Sequence, residues 1–581
     1  MTGLSLALVL ILPGLLTVAL ASPALRAAAW RLVPLAPMPA LALALMTAPD
    51  SAPVLRSDWL ILGTELGLDS VSRLFLAFTA VLWIAAGSAA RHWMRDDPRA
   101  AAFGICFLMA MTGNLGLILA RDAASFYAFF ALMSFSSYGL VLHERSDKAR
   151  SAARLYIGFV IAGELALFAG LALTAAQAGS LLLSDLRASA PDGLAALLLL
   201  AGFGVKLGLV PLHFWLPPAH GAAPVPASAV LSGAMIKAGL FGMIATLPLG
   251  VTAFDDLGPL VMSAGLVTIF AALLLGVQQT NPKAVLGYSS VSQMGIIALG
   301  LGAGLLAPEA WPAILPALVF LAAHHALAKG ALFLGVGAVA AQPDGRGRWL
   351  MLVALALPAL VLAGLPATSG ALGKETLKTA LAAGSAVWLP WLVVALTLSG
   401  IATTLLMARH LFLLARQSPP APQAVAPEAI ALPFLGLALG AVMLPALWPW
   451  LAGSAGAPLA QAGTGPLWPV AAGLAIALGA GLDAHARRIG PAVFAAQLLA
   501  PFRAARARLT RVVAVRQRAL RRLSVQVPRQ IAARTLEWRL AQTAILVLIA
   551  LVMALHLASE PRASVIPDSP GTSGAVTEGN L

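Results

Sequence analysis

Charge is scarce in this chain: only 10% of its 581 residues are Asp, Glu, Lys or Arg, against 60% that are hydrophobic. A soluble protein of this size needs far more charge to cover its surface, and no long polar stretch is present in which a separate soluble domain could fold. Cysteine is scarcer still. The single Cys106 lies in an apolar run, which excludes a disulfide framework, a thiolate zinc site or an iron–sulfur cluster built from this chain alone. No nucleotide-binding loop is present either, so no cofactor and no metal is expected, and any redox chemistry belongs to a partner. The first apolar stretch has no Lys or Arg before it; although "ALASPA" follows, it reads as a retained helix rather than a cleaved leader.

What the chain has in abundance is apolar runs near the ~20-residue length that spans a bilayer. With Gly, Pro and charge as punctuation, they predict an all-α, polytopic membrane bundle of sixteen helices. The second is expected near 34–47, the fifth near 123–142, the sixth near 154–176, the seventh near 193–213 and the eighth near 226–249. The tenth follows near 284–305, the eleventh near 311–338, the twelfth near 349–381 and the last near 540–557. The bundle proper covers 1–483, and the tail, 558–581, is rich in Ser, Pro and Gly and reads as disordered. Loops with Arg26 and Arg31, Arg91, Arg95 and Arg99, Arg145, Lys148 and Arg150, Lys283, Arg346 and Arg348, and Arg416 fall on one side, the cytoplasmic one by the positive-inside rule. The opposite loops carry Asp50, Asp58, Glu65, Asp185, Asp192, Asp255, Asp256 and Glu309. Both termini are then expected outside, in a bacterial inner membrane.

Residues 484–539 break the apolar pattern, with thirteen arginines, no lysine and one acid, Glu537, and so hold most of the chain's net charge of +14. Within 502–527, Leu509, Val513, Leu520, Leu523 and Val527 recur at roughly helical spacing between arginines. This predicts a basic amphipathic helix on the cytoplasmic surface, held by lipid headgroups or an acidic partner. Nucleic acid is the rival ligand for an arginine run, but no nucleic-acid-binding module accompanies it and an apolar helix follows directly.

Lysine is the rarest base, seven against thirty arginines, and five of the seven fall within apolar segments. Arginine cannot shed its proton in a protein, whereas a desolvated lysine can, so intramembrane lysines can carry protons. Lys283, beside "TNP" at the start of the tenth helix, reads instead as a snorkelling lysine. Lys206 and Lys237 lie deeper. Lys206 precedes "GLVPLHFWLPP" and Lys374 follows "GLPATSG", so the seventh and twelfth helices are each broken near a lysine. Two broken helices, five apart, predict a pair of inverted five-helix repeats, about 102–249 and 258–414, with hydrated charge sites at the breaks.

"GVKLGLVPLHFWLPPAHGAAPVPASAVLSGAMIKAGLFG", "NPKAVLGYSSVSQMGIIALGLG", "HHALAKGALFLGVGAV" and "GLPATSGALGKETL" resemble, in order and spacing, the antiporter-like membrane subunits, and "HWMRDDPRAAAF" extends the likeness. That family includes proton-pumping subunits of respiratory complex I, large subunits of Mrp antiporters and membrane subunits of formate hydrogenlyase-type hydrogenases. The resemblance implies that Lys206 is the proton-input lysine, Lys237 a connecting group, Lys329 the lysine of the eleventh helix and Lys374 the output group. His325, one turn before Lys329, is expected to join the path, and His213 to link the halves of the seventh helix; His324 reads as a packing or backbone partner. In one respect the sequence departs from the family. Where the fifth helix normally carries a glutamate, "FYAFFALMSFSSYGL" has Ala131, and Glu164 in the sixth helix is the expected substitute; the rival is a degenerate input site.

The implied function is a proton-translocating subunit of a larger complex with other membrane subunits as partners, complex I-like, Mrp-like or hydrogenase-like, with sodium as the other candidate ion. Two alternatives are the membrane subunit of an energy-coupled inorganic-carbon uptake system, within the same fold, and a scaffold that does not conduct.

Overall fold

The computed structural model describes residues 2–48, 53–58, 62–342, 345–382, 389–417, 427–453 and 463–486. The basic helix expected over 502–527, the last span expected over 540–557 and the tail lie outside the described residues. Helices dominate because the bilayer core offers no water to backbone N–H and C=O groups, and a helix satisfies them internally. In chain order they are α1 (Thr2–Ala21), α2 (Arg26–Leu32), α3 (Met38–Met46), α4 (Ser70–Trp93), α5 (Ala100–Leu119), α6 (Ala123–Leu142), α7 (Asp147–Ala178), α8 (Leu183–Ala188), α9 (Gly193–Leu207) and α10 (Leu216–Ala222). The remainder are α11 (Val225–Val230), α12 (Lys237–Thr246), α13 (Leu257–Gly276), α14 (Pro282–Leu306), α15 (Trp311–Ala340), α16 (Arg346–Ala363), α17 (Ser369–Ala382), α18 (Leu389–Arg416), α19 (Pro427–Ala452) and α20 (Trp468–Ala486). Thirteen helical spans among the described residues are long and apolar enough to cross a membrane, and this is a multi-pass membrane protein. α9 and the apolar part of α20 are shorter.

Three details differ from the sequence-based expectation. The second span begins at Arg26 rather than near 34 and runs in pieces: α2, a 3-10 turn over Val33–Leu35, then α3. Pro34 and Pro39 sit in the first turns of the later pieces, where a missing N–H costs nothing, so Arg26 and Arg31 are helical rather than in a loop. α7 likewise starts seven residues early, because the Ser146 side chain accepts from the Ala149 N–H and caps a polar first turn that hydropathy does not register. Finally, a small antiparallel hairpin, β1 (Val54–Ser57) with β2 (Thr64–Gly67), pairs Val54 with Gly67 and Ser57 with Thr64.

That hairpin forms part of a cap on one membrane face. Leu66 bridges to Ala120 and Asp122 to Leu182, tying the hairpin to the α5–α6 and α7–α8 connections. Asp69, Asp122 and Asp192 cap the helices that start at this face, each side chain accepting the backbone N–H three residues on. The acids of this face are thus partly capping residues. Deeper down, small residues let helices approach closely: a Cβ on Gly265 of α13 would come 2.8 Å from the Gly295 carbonyl of α14, and one on Gly295 would come 2.7 Å from that of Gly265. α14 and α15 form the buried spine of the molecule, with 94% and 100% of their apolar windows inside the protein, so the polar groups they carry face other helices rather than lipid.

Candidate functional site

α9 stops at Gly208, which takes the left-handed conformation with φ +76°. The Gly208 N–H donates to the Gly204 and Val205 carbonyls and the Leu209 N–H returns to Gly204, the closure a helix-terminating glycine makes. Lys206 therefore sits in the last turn of α9, where unpaired carbonyl ends favour a cation. It is buried, and its Nζ donates to Ser134 Oγ of α6 at 2.9 Å, with the Phe130 ring centroid 5.4 Å away. Glu164 of α7, also buried, lies beside Ser134 in the electrostatic field of this lysine, with its Oε2 left without a hydrogen-bond partner. Lys206 and Glu164 thus both adjoin one serine, and Ala131 stands three residues before that serine on the same helix. His213 occupies the link between α9 and α10. Its ring packs on Phe214 at 4.4 Å and lies 6.2 Å from Tyr288, and neither ring nitrogen has a hydrogen-bond partner.

The centre of the molecule holds a second group. A π-helical turn over Leu231–Met235 precedes α12 and turns the Ser232 carbonyl toward Lys237, whose Nζ donates to it at 2.7 Å. The same amine lies 2.6 Å from His325 Nδ1 on α15. Lys329, one turn after His325, donates to the Leu286 carbonyl of α14 at 2.9 Å. All three are at most 1% exposed. No Asp or Glu among the described residues makes an ion pair with either lysine. Three buried bases without a carboxylate cannot all carry charge at once, since an unpaired buried cation is expensive and neighbouring cations repel.

The second break repeats the backbone of the first. Gly364 ends α16 with φ +94°, its N–H donates to Leu360 and Val361, and the Leu365 N–H returns to Leu360. Here the lysine lies on the far side: Lys374, in α17, reaches back to the Ala363 carbonyl at 3.3 Å. The neighbouring acid, Glu375, is engaged by Lys378 at 2.8 Å.

The structure therefore gathers Lys237, His325 and Lys329, brings Glu164 into the field of Lys206 beside Ser134, and leaves His213 and Lys374 without a side-chain hydrogen-bond partner. Two histidines stand closer to the buried lysines than the sequence suggested. His324 is 2.8 Å from Ser369 Oγ, at the start of α17, and feels both Lys237 and Lys374. His220, in α10, stacks 4.7 Å from Phe333, lies in the field of Lys329, Lys283 and Lys237, and has no hydrogen-bond partner on either ring nitrogen. The paired motif "HH" and the "PPAH" turn are the signals that could have drawn attention to them. Lys283 does not snorkel freely to the surface; its Nζ donates to the Ala223 carbonyl at 2.6 Å.

The family profile described as NADH:quinone oxidoreductase/Mrp antiporter, TM, matches residues 120–403, the stretch that contains every one of these groups. Over that stretch, just under half of its length, the chain is similar to the antiporter-like membrane subunits. It is 33% identical to hydrogenase-4 component B of Escherichia coli K12 over 289 residues, 47% of this chain and 43% of that protein. Against NADH-quinone oxidoreductase subunit M of Pseudomonas aeruginosa it is 29% identical over 348 residues, 55% of this chain and 67% of that one. The chain spans less than half the length of the first curated relatives it matches. The structure of the Mrp complex from Dietzia sp. DQ12-45-1b contains a chain of the same fold, with a TM-score of 0.65 at 23% identity, covering 79% of this chain and 97% of that one.

Proposed function

We propose that this protein moves protons across a bacterial inner membrane along Lys206, Lys237, Lys329 and Lys374, with Glu164, His325 and His213 assisting, as one subunit of a larger membrane complex that supplies the energy. The observation that carries this reading is the Lys237–His325–Lys329 group, in which a proton has three bases to occupy and no carboxylate to hold it in place. A structural charge cluster would be neutralised, because leaving a base unpaired in a low-dielectric interior lowers stability without return. The similar breaks at Gly208 and Gly364 favour two five-helix repeats of inverted topology, about 102–249 and 258–414, with a charge site at each break. On this reading the Lys148 and Lys283 face is cytoplasmic, the hairpin face is outer, and both termini are outside. The arginine-rich 484–539 segment would hold the cytoplasmic face to anionic headgroups or to a neighbouring subunit.

The test is proton flux in vesicles holding the full chain with its co-purifying subunits. Lys237→Met should abolish flux while assembly is retained, and Lys237→Arg should fail as well, because a permanent cation cannot pass its proton on. Normal flux in a correctly inserted Lys237→Met protein would falsify the reading, and a dependence on sodium rather than pH would redirect it to a sodium path.

A further inference from the structure

Directly above the central lysines, on the face capped by the hairpin, the protein holds a cavity of about 210 Å³. Its rim carries Glu65, Asp69 and Arg121, and its walls include Val71 of α4, Phe241 and Ile244 of α12 and Leu315 of α15. The helical register connects this cavity to the interior. Phe241 and Ile244 lie four and seven residues after Lys237, on the same face of α12. Leu315 and Lys329 are two heptads apart on one face of α15, and Val71 and Phe75 are one turn apart on α4. Three helix faces therefore run from the cavity walls down to the level of Lys237, His325 and Lys329. What separates the two levels is aromatic: Phe241 packs on Phe75 with ring centroids 5.2 Å apart, and Phe75 on Phe78 at 5.1 Å. Phe241 and Phe75 are buried, and the Phe241 backbone is about 6 Å above that of Lys237 at ~1.5 Å rise per residue.

We propose that this cavity is the water-filled vestibule through which the central lysines exchange protons with the hairpin-side medium, and that Phe241, backed by Phe75, is the gate between them. The inference rests on the proton-path reading and adds to it a place of access: above Lys237, between α4, α12 and α15, in addition to the end at Lys374. The rim suits water and hydrated protons. Arg121 donates to Asp69 at 2.6 Å and Arg56 to Glu65 at 2.7 Å, so both carboxylates are partnered and neither is set up to trap a cation. A phenylalanine is a suitable gate because rotation about two bonds moves a large apolar disc in or out of a passage without breaking a hydrogen bond.

Cysteine labelling tests the gate without relying on flux. With Cys106 replaced by Ser, the full chain in sealed vesicles would carry a single cysteine at Ile244→Cys, in the vestibule, or at Ala234→Cys, below the gate, and be exposed to a membrane-impermeant methanethiosulfonate from the hairpin side. Ile244→Cys should label and Ala234→Cys should be protected. Adding Phe241→Ala should speed labelling of Ala234→Cys about tenfold, the factor expected when ~1.4 kcal/mol of closure is removed. If Phe241→Ala does not assemble, Phe241→Leu should give a smaller gain in the same direction. The open variant should also leak protons down an imposed gradient, and Lys237→Met should stop that leak. Protection of Ile244→Cys, or labelling of Ala234→Cys that is indifferent to residue 241, overturns the gate. Absence of Lys237-dependent flux with the labelling pattern intact overturns the proton-path reading and leaves the vestibule standing.

Discussion

The two broken helices share a backbone and differ in what they do with their lysine. At both breaks a glycine takes a left-handed conformation, closes the helix with the same pair of returning hydrogen bonds and has a proline within three residues. At the first break, Lys206 lies before the glycine, in the carbonyl end of α9, and donates to Ser134 beside Glu164. At the second, Lys374 lies after the glycine and holds only the Ala363 carbonyl, while its neighbouring acid is taken by Lys378. The lesson is that a helix break supplies a free helix end at either site, but a charge partner has to come from another helix. One break has such a partner and the other does not, so the two lysines stand in chemically different surroundings.

The largest expected effect comes from removing the paired lysine. Lys206→Met should reduce proton flux to background in vesicles that contain the assembled protein, and Lys206→Arg should do the same. Lys374→Met should also stop turnover, but single-turnover proton uptake by the Lys206 end should survive it. Uptake lost in both variants would erase the distinction between the ends.

Removing the partner sharpens the comparison. Glu164→Gln should cut flux severalfold by leaving Lys206 with a serine alone, and Ala131→Glu, one turn from Ser134 on α6, should restore part of it. Full activity in Glu164→Gln means that the first break works as the second does, without a carboxylate.

The glycines give a stability contrast. Alanine in the left-handed region costs roughly 1–2 kcal/mol at either position. A Cβ on Gly208 would also meet Leu216 Cδ1 at 2.9 Å, whereas one on Gly364 would meet Lys374 Nζ at 3.5 Å. Gly208→Ala should therefore lower the thermal midpoint in detergent more than Gly364→Ala, and Gly364→Ala should disturb transport more than stability. Equal midpoints would indicate that Leu216 repacks without cost.

The smallest effect lies outside the membrane, at the foot of α6, the helix that brings Ser134 to the first break. Asp97 accepts from His143 Nε2 at 2.9 Å and from the Arg99 N–H at 2.7 Å. Partial burial alone would raise its carboxyl, but these hydrogen bonds outweigh it and hold the group below its ordinary value of 3.8. A carboxyl lowered in the folded state contributes stability above its unfolded pKa and loses it as pH falls through the folded one. Between about pH 5 and pH 3 the wild type should thus lose slightly more thermal stability than Asp97→Asn. Parallel acid limbs would show that this tie to α6 is negligible.

Much of this is legible in the amino-acid sequence. The apolar runs, the two Gly–Pro interruptions and the concentration of lysine in apolar segments are local features, and a membrane leaves the backbone little besides helices to form. A break after Gly208 or Gly364 follows from one residue's conformational freedom and a nearby proline, so it is visible in a few letters. The early start of α7 is not, because its first turn is polar and is held by a serine cap, which hydropathy does not weigh.

The sequence by itself determined that the chain is a helical membrane protein, where two of its helices break, and that buried lysines stand near the breaks. Only the tertiary structure decided which groups meet: Lys206 with Ser134 beside Glu164, His325 with Lys237 across 88 residues of chain, His324 with Ser369 at the start of α17, and a cavity lined by Phe241. The reason is geometric. Periodicity tells which residues share a face of one helix, but the partner of that face depends on the rotation, depth and crossing of neighbouring helices. Those are set by close contacts such as Gly265 against Gly295, far away in the chain from the residues they align.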